Sequence, residues 1–296
     1  MVTLASPENV GRDLLTITAN ANVGAALPMA LRRNSGNVHI TDMRKKQTMK
    51  AAVLAIEAAA LSLAQTQQPF LRQPCKAVLE DPSIIAYWPM SQPGNLTFDC
   101  LHQHDGTMYG NNTPAQTGKT GPVTAWMNKS NHNYLGIASI TLPAAFSVNV
   151  WVKPGLLVSG YARVAEMLYS TGLYLGTDTT LAQWQLIIND ATLAKACKGG
   201  TVTQGGTTWT MLTAVWDGTY GWLYANGSLI IGGTSACQFT PPTTGLTNSL
   251  RIGCYNSGTN CSSINSAWDG GITDFRIYSR ALQASDVANL YAALNH

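Results

Sequence analysis

The groups in this 296-residue chain that could carry chemistry are few and scattered. Downstream of Gln65 there are two glutamates, Glu80 and Glu166. Glycoside hydrolysis needs two carboxyl groups facing each other across a sugar, about 5 to 10 Å apart. Glu166 has no carboxylate within five residues, and Glu80 has only Asp81 beside it, in a stretch that reads as linker. His102 and His104 lie two apart between Asp99 and Asp105, a spacing that could ligate a transition metal. A pair of solvated loop histidines is the plainer reading. No G-x-S-x-G elbow accompanies these or His132 and His296, so a Ser-His-Asp triad has no support.

Aromatic residues offer a different chemistry, because ring faces stack on sugars while backbone and amide groups fix hydroxyls. The loop or edge candidates are Tyr161, Tyr174, Tyr255 and Trp268, with Trp222 on the outward face of its strand, opposite Leu223. Aromatics packed at the ends of a β-domain are the alternative.

Charged residues make up 11% of the chain, with Gly, Ser, Thr and Asn abundant, well below the roughly one quarter charged residues of average domains. That favours a turn-rich β-protein. Seven Lys and Arg and four Asp and Glu precede Gln65, and eleven of each follow it, so the net charge of +3 belongs to the N-terminal segment. The neutral body has no electrostatic footprint for nucleic acid or anionic membrane. All six cysteines lie in that body without C-x-x-C or zinc spacing, which favours disulfides in an oxidising compartment over reduced core cysteines. A sequential pairing is expected: Cys254 with Cys261, Cys197 with Cys237, and Cys75 with Cys100.

Residues 1–42 show no sustained period and read as unstructured, or as translation upstream of the true start. In residues 43–64 a basic start, Met43 to Lys50, leads into AAVLAIEAAALSLA, with Ser62 and Ala64 at the −3 and −1 positions. This is the pattern of a secretory signal peptide cleaved after Ala64. Glu57 is unfavourable in such a core. Val53, Ile56, Ala60 and Leu63 also suit a short coiled coil, a retained anchor for a fibre head. The apolar run is too short to span a membrane. Residues 65–82 read as a linker.

The elements that must position any site come next, over residues 83–296. FSVNVWVKP (146–154) alternates Phe146, Val148, Val150 and Val152 against Trp151, a strand buried on one face and covered on the other. Ala162 to Tyr169, Trp184 to Ile188 and Thr192 to Cys197 also alternate enough to be strands. Trp209 to Gly218 and Gly221 to Ile230 form a hairpin ladder whose Asp217-Gly218 and Asn226-Gly227 supply turn residues with positive φ. After Gly270-Gly271, Ile272, Phe275 and Ile277 mark a last strand. Val287, Leu290, Tyr291 and Leu294 mark one side of a terminal helix.

In order, SIIAYWPM, DGTMYG, FSVNVWVKP, the W-(seven residues)-DG and LYANG pair, and ITDFRIYSRAL resemble the laminin-G-like domains of the concanavalin A-like lectin/glucanase superfamily over about residues 83–294. The resemblance implies an all-β, two-sheet antiparallel jelly-roll sandwich with a short C-terminal helix, closed by pairing of its first and last strands. It places Trp88, Trp151 and Trp209 in the core. It also implies calcium held by Asp99 and Asp105, with Asp269 or Asp274 nearby, although Thr273 stands where the family usually has an aspartate; structural turn aspartates are the alternative. Superfamily members that hydrolyse glucans carry a Glu-x-Asp-x-x-Glu strand, which this chain lacks. The expectation is a secreted or cell-surface, non-catalytic module that binds glycan or an extracellular protein. A fibre head with retained anchor is second and a glycoside hydrolase third.

Overall fold

A computed structural model describes residues 75–76, 80–91, 97–110, 119, 125–128, 133–157, 160–167, 172–190, 197–242, 246–255 and 267–295. These fall in the second of the chain's two units, Gln65–His296. The segments 1–42 and 43–64, with the signal-peptide and anchor readings placed on them, lie outside the described residues, as does most of the linker.

The described strands are β1 (Ile84–Trp88), β2 (Thr107–Tyr109), β3 (Ala125–Met127), β4 (Tyr134–Leu142), β5 (Phe146–Pro154), β6 (Arg163–Met167), β7 (Leu173–Thr177), β8 (Trp184–Ile188), β9 (Lys198–Gly199), β10 (Thr210–Trp216), β11 (Gly221–Ala225), β12 (Ser228–Gly232), β13 (Leu246–Ile252) and β14 (Gly270–Tyr278), followed by the helix α1 (Ala284–Leu294). They form two antiparallel seven-stranded sheets. Sheet A runs β1-β14-β5-β10-β11-β12, with β3 also on β14, and sheet B runs β2-β4-β13-β6-β7-β8-β9. This is the expected jelly-roll sandwich, and its ends meet as expected: Trp88 pairs with Phe275 and Ile84 with Tyr278.

Alternation decides which side chains fill the space between the sheets. Val148, Val150 and Val152 of β5 meet Leu212 and Ala214 of β10 and Ile272, Phe275 and Ile277 of β14 in one buried cluster. The uneven spacing of the β14 residues has a cause: the register slips between Thr273 and Arg276, and Asp274 there has φ 59°. A bulge shifts the alternation by one residue, so both halves of the strand keep their apolar side inward. In β7, between β6 and β8, all five residues are buried. Tyr174, Gly176 and Thr177 break its apolar run, so periodicity does not mark this strand in the sequence. Thr192–Ala196, read as strand, lies outside the described residues, and the described strand nearby is β9.

The hairpins differ in their turns. Asn226 and Gly227 both have positive φ, 50° and 79°, in a two-residue loop between Ala225 and Ser228, as a type I′ turn demands. In the longer loop after Trp216, Gly218 alone has positive φ. There the Asp217 carboxylate accepts the Thr219 and Tyr220 N–H groups at 2.8 and 2.7 Å.

Two disulfides hold the periphery. Cys75–Cys100 joins the segment before β1 to the loop after it. Cys197–Cys237 joins the β9 edge of sheet B to the turn following the β12 edge of sheet A. Cys254 is also disulfide-bonded; Cys261, its expected partner, lies outside the described residues.

Candidate functional site

The two outward sheet faces carry different residues. On sheet A, Trp151, Met211, Val215 and Tyr278 are covered by Leu282, Val287, Leu290 and Tyr291 from α1 and its approach. A capping box between Gln283 and Asp286 starts that helix. Between β1 and β14 lies a buried polar trio: the Tyr87 hydroxyl donates to Asp274, and Arg276 donates to Asp274 at 2.7 Å and to Tyr87 at 3.2 Å. Burial and the neighbouring Asp274 carboxylate raise the Tyr87 phenol well above its ordinary pKa. Burial alone would lower Arg276, but Asp274 and Tyr87 hold its guanidinium charged. This trio fastens β1 to β14.

On sheet B, the register aligns Gly136, Arg251, Glu166 and Tyr174 across four strands. Arg163 and Glu166 would point to opposite faces of a regular strand. The register shift between Arg163 and Ala165 brings them to the same face, where Arg163 Nε lies 3.1 Å from Glu166 Oε2. Both are buried, at 2% and 0% exposure. The Arg163 guanidinium also donates to the Tyr161 carbonyl at 2.6 Å. It stands 5.8, 5.5 and 4.5 Å from the ring centres of Tyr161, Tyr174 and Tyr255. Arg251 donates to the Tyr255 carbonyl at 3.0 Å and faces the Tyr134 ring at 5.1 Å. Burial raises the Tyr134 phenol pKa against the opposing field of Arg251.

Tyr109 completes this face. Its ring stacks on Tyr134 with centres 4.8 Å apart and planes 11° from parallel. Gly136 makes this possible, since a Cβ there would sit 2.8 Å from the Tyr109 ring. Tyr109 is 45% exposed, one of the few large apolar side chains so open among the described residues.

Three of the five aromatic candidates, Tyr161, Tyr174 and Tyr255, therefore meet around one guanidinium, with Tyr161 and Tyr255 half-buried. Tyr174 corrects the expectation of a loop or edge position: it lies within β7 at 2% exposure, its hydroxyl bonded to the Thr177 carbonyl. Trp268 is a second correction. It is fully buried in the core and stacked on Trp184, so no ring face is open to a ligand. Trp222 lies apart, half-buried on the outward side of sheet A beside Tyr220 and against Gly232. Of the tryptophans assigned to the core, Trp88 fills it, Trp151 is buried under α1, and Trp209 is only partly buried. Tyr109, Tyr134, Arg163 and Arg251 join these candidates from positions with only weak sequence signals. An exposed tyrosine in DGTMYG and a charged residue within each of two buried strands were the available signals.

The four aspartates proposed for calcium do different work. Asp99 is buried, and its carboxylate accepts N–H groups from Tyr87, Leu101, Gln103 and His104 at 2.8 to 3.3 Å, which occupies its acceptor positions. Asp274 is committed to Arg276 and Tyr87. Asp105 accepts the Asp99 N–H at 2.7 Å and faces His102 at 3.4 Å. Asp269 is half-buried just before β14, its carbonyl accepting the Gly155 N–H at 2.7 Å. Asp99 and Asp274 thus do not fit a calcium set. Among the described residues no three His, Cys, Asp or Glu side chains group as a metal site.

Fold and site together define a two-sheet jelly-roll domain with one face closed by a helix and the other lined by tyrosine and arginine. The chain belongs to the laminin-G-type family of the concanavalin A-like lectin/glucanase superfamily, whose profile matches residues 128–288. No curated protein sequence matches it. Among solved structures it resembles domain 4 of AbnA, an extracellular arabinanase of Geobacillus stearothermophilus seen in complex with arabinotriose: TM-score 0.52, 21% identity, 72% of this chain and 98% of that one. It also resembles part of Trypanosoma rangeli sialidase, with TM-score 0.51, 14% identity, 71% of this chain and 33% of that one. A third is botulinum neurotoxin type C, whose cell entry depends on interaction with two ganglioside molecules, with TM-score 0.51, 13% identity, 73% of this chain and 52% of that one. The last two are spanned only in part, and at these identities the likeness is one of fold.

Proposed function

We propose that this chain is a non-catalytic, exported binding module that recognises carbohydrate through the outward face of sheet B. The observation that carries the reading is the Tyr109 platform: a 45% exposed ring held nearly parallel to Tyr134 over Gly136. An aromatic ring fixed in this way loses little freedom when a sugar stacks on it. Membership of a lectin-like family and the fold likeness to an arabinanase domain seen with arabinotriose are consistent with it. The disulfides support an oxidising compartment. Among the described residues no helix is long and apolar enough to cross a membrane.

Absence of catalysis is part of the proposal. Glu166 is buried against Arg163 and Glu80 is an exposed partner of Lys76, commitments to ion pairing rather than to the facing carboxyl pair that glycoside hydrolysis uses. Measurable release of sugar from a polysaccharide would overturn that part.

The test is a glycan array probed with the protein and with Tyr109→Ala, each with and without calcium. The reading predicts binding that weakens about tenfold on losing the ring, equivalent to about 1.4 kcal/mol. Binding unchanged by that substitution would move the site elsewhere. N-terminal sequencing of the mature protein is expected to begin near Gln65.

A further inference from the structure

The Tyr109 platform is one end of a continuous series of contacts. Tyr109 stacks on Tyr134, Tyr134 faces Arg251, and Arg251 holds the Tyr255 carbonyl. The Tyr255 ring faces Arg163, and Arg163 faces Tyr161. Six side chains thus run across sheet B from β2 over β4 and β13 to β6. Strands in a sheet lie about 4.8 Å apart, so three strand steps separate the two ends by about 14 Å. Partly exposed rings stand at both: Tyr109 at one, Tyr161 and Tyr255 at the other.

From this arrangement we infer that the ligand is the interior of a linear oligosaccharide lying across the strands, with ring-stacking positions at Tyr109 and at Tyr161. This rests on the carbohydrate-binding reading above and extends it from a residue to a chain. A single sugar ring cannot reach both ends, whereas a chain of several residues gains the second contact without a second loss of translational freedom. Arg163 is the positioning residue at the far end. Its bonds to Glu166 and to the Tyr161 carbonyl fix the guanidinium on which the Tyr161 and Tyr255 rings are placed.

The experiment is calorimetric titration of the protein with one-to-six-residue series derived from arabinan, xylan, β-glucan and mannan. In at least one series the affinity is expected to rise tenfold or more between one residue and about four, then level off. Tyr161→Ala should abolish that rise with length, and Tyr161→Phe, which keeps the ring, should retain it. Equal affinity for short and long members overturns the inference and leaves the carbohydrate reading standing, as does a Tyr161→Ala variant that keeps the full rise with length. If no member of any series binds while the glycan array is positive, this inference falls and the carbohydrate reading stands; if the array is negative as well, both fall. Should Tyr161→Ala fail to fold, the length dependence and Tyr161→Phe still decide.

Discussion

The outward faces of the two sheets are built on the same alternation and are put to opposite uses. Sheet A buries Trp151, Met211 and Val215 under α1, with a buried ion pair, Arg276 and Asp274, where β1 and β14 meet. Sheet B places Arg163 and Glu166 under half-exposed tyrosines and leaves Tyr109 open. A buried ion pair is weak evidence of stability for its own sake, because desolvation offsets much of the attraction. The same device therefore has a different meaning in each place. On sheet A it fixes the register of the closing strand; on sheet B it fixes the orientation of side chains that face outward.

The comparison is sharpest under substitution. Arg276→Met leaves Asp274 buried without its countercharge, and Arg163→Met does the same to Glu166. Each is expected to cost about 3 to 5 kcal/mol in denaturant unfolding. Only the Arg163 variant should also lose oligosaccharide affinity in the fraction that folds. Equal binding losses in both would mean that the faces are not functionally distinct. Next in size, removing Cys197–Cys237, whose partners lie 40 residues apart, should lower stability by about 2 to 4 kcal/mol. Binding at saturating protein fold should be unaffected, since the bond lies at the β9 and β12 edges.

A smaller effect is expected from acid. Burial would raise the pKa of Asp178, but bonds from Thr180, the Gln183 and Ala182 N–H groups and Lys198 outweigh it, and the net shift is downward. A carboxylate depressed on folding stabilises the protein above its unfolded pKa, and that contribution fades as pH falls through the lower folded value. Asp178→Asn should therefore show a shallower loss of stability below about pH 4 than the parent, measured by thermal melts across pH. An identical acid limb would show that other carboxylates govern it. Smallest of all is the stability change on Tyr109→Ala, expected at under about 1 kcal/mol because the residue is half exposed, despite the predicted loss of binding.

The fold was legible in the sequence because its signals are local. The FSVNVWVKP alternation, the Asn226-Gly227 turn and the spacing of Val287, Leu290, Tyr291 and Leu294 each report on neighbours a few residues away. The site was legible only in pieces. Tyr161 and Tyr255 could be chosen as loop aromatics, yet their meeting at Arg163 depends on a bulge that shifts alternation in β6, and nothing local announces a bulge there. Tyr174 and Trp268 were misplaced for a related reason: side-chain type marks an aromatic, while burial is set by strands far away in sequence. Asp99 shows the same limit, since an aspartate in a polar loop reads alike whether it binds a cation or caps N–H groups.

On this proposal the outward face of sheet B with Tyr161 and Tyr255 at its edge, and not sheet A or the loops holding Asp105 and Asp269, receives the ligand. A crystal structure of the protein soaked with the longest oligosaccharide that binds tests it most directly. The account predicts a sugar ring stacked on Tyr109 and the chain continuing across β4 and β13 toward Tyr161. A chain seated against Trp222, or on the loops holding Asp105 and Asp269, would contradict it.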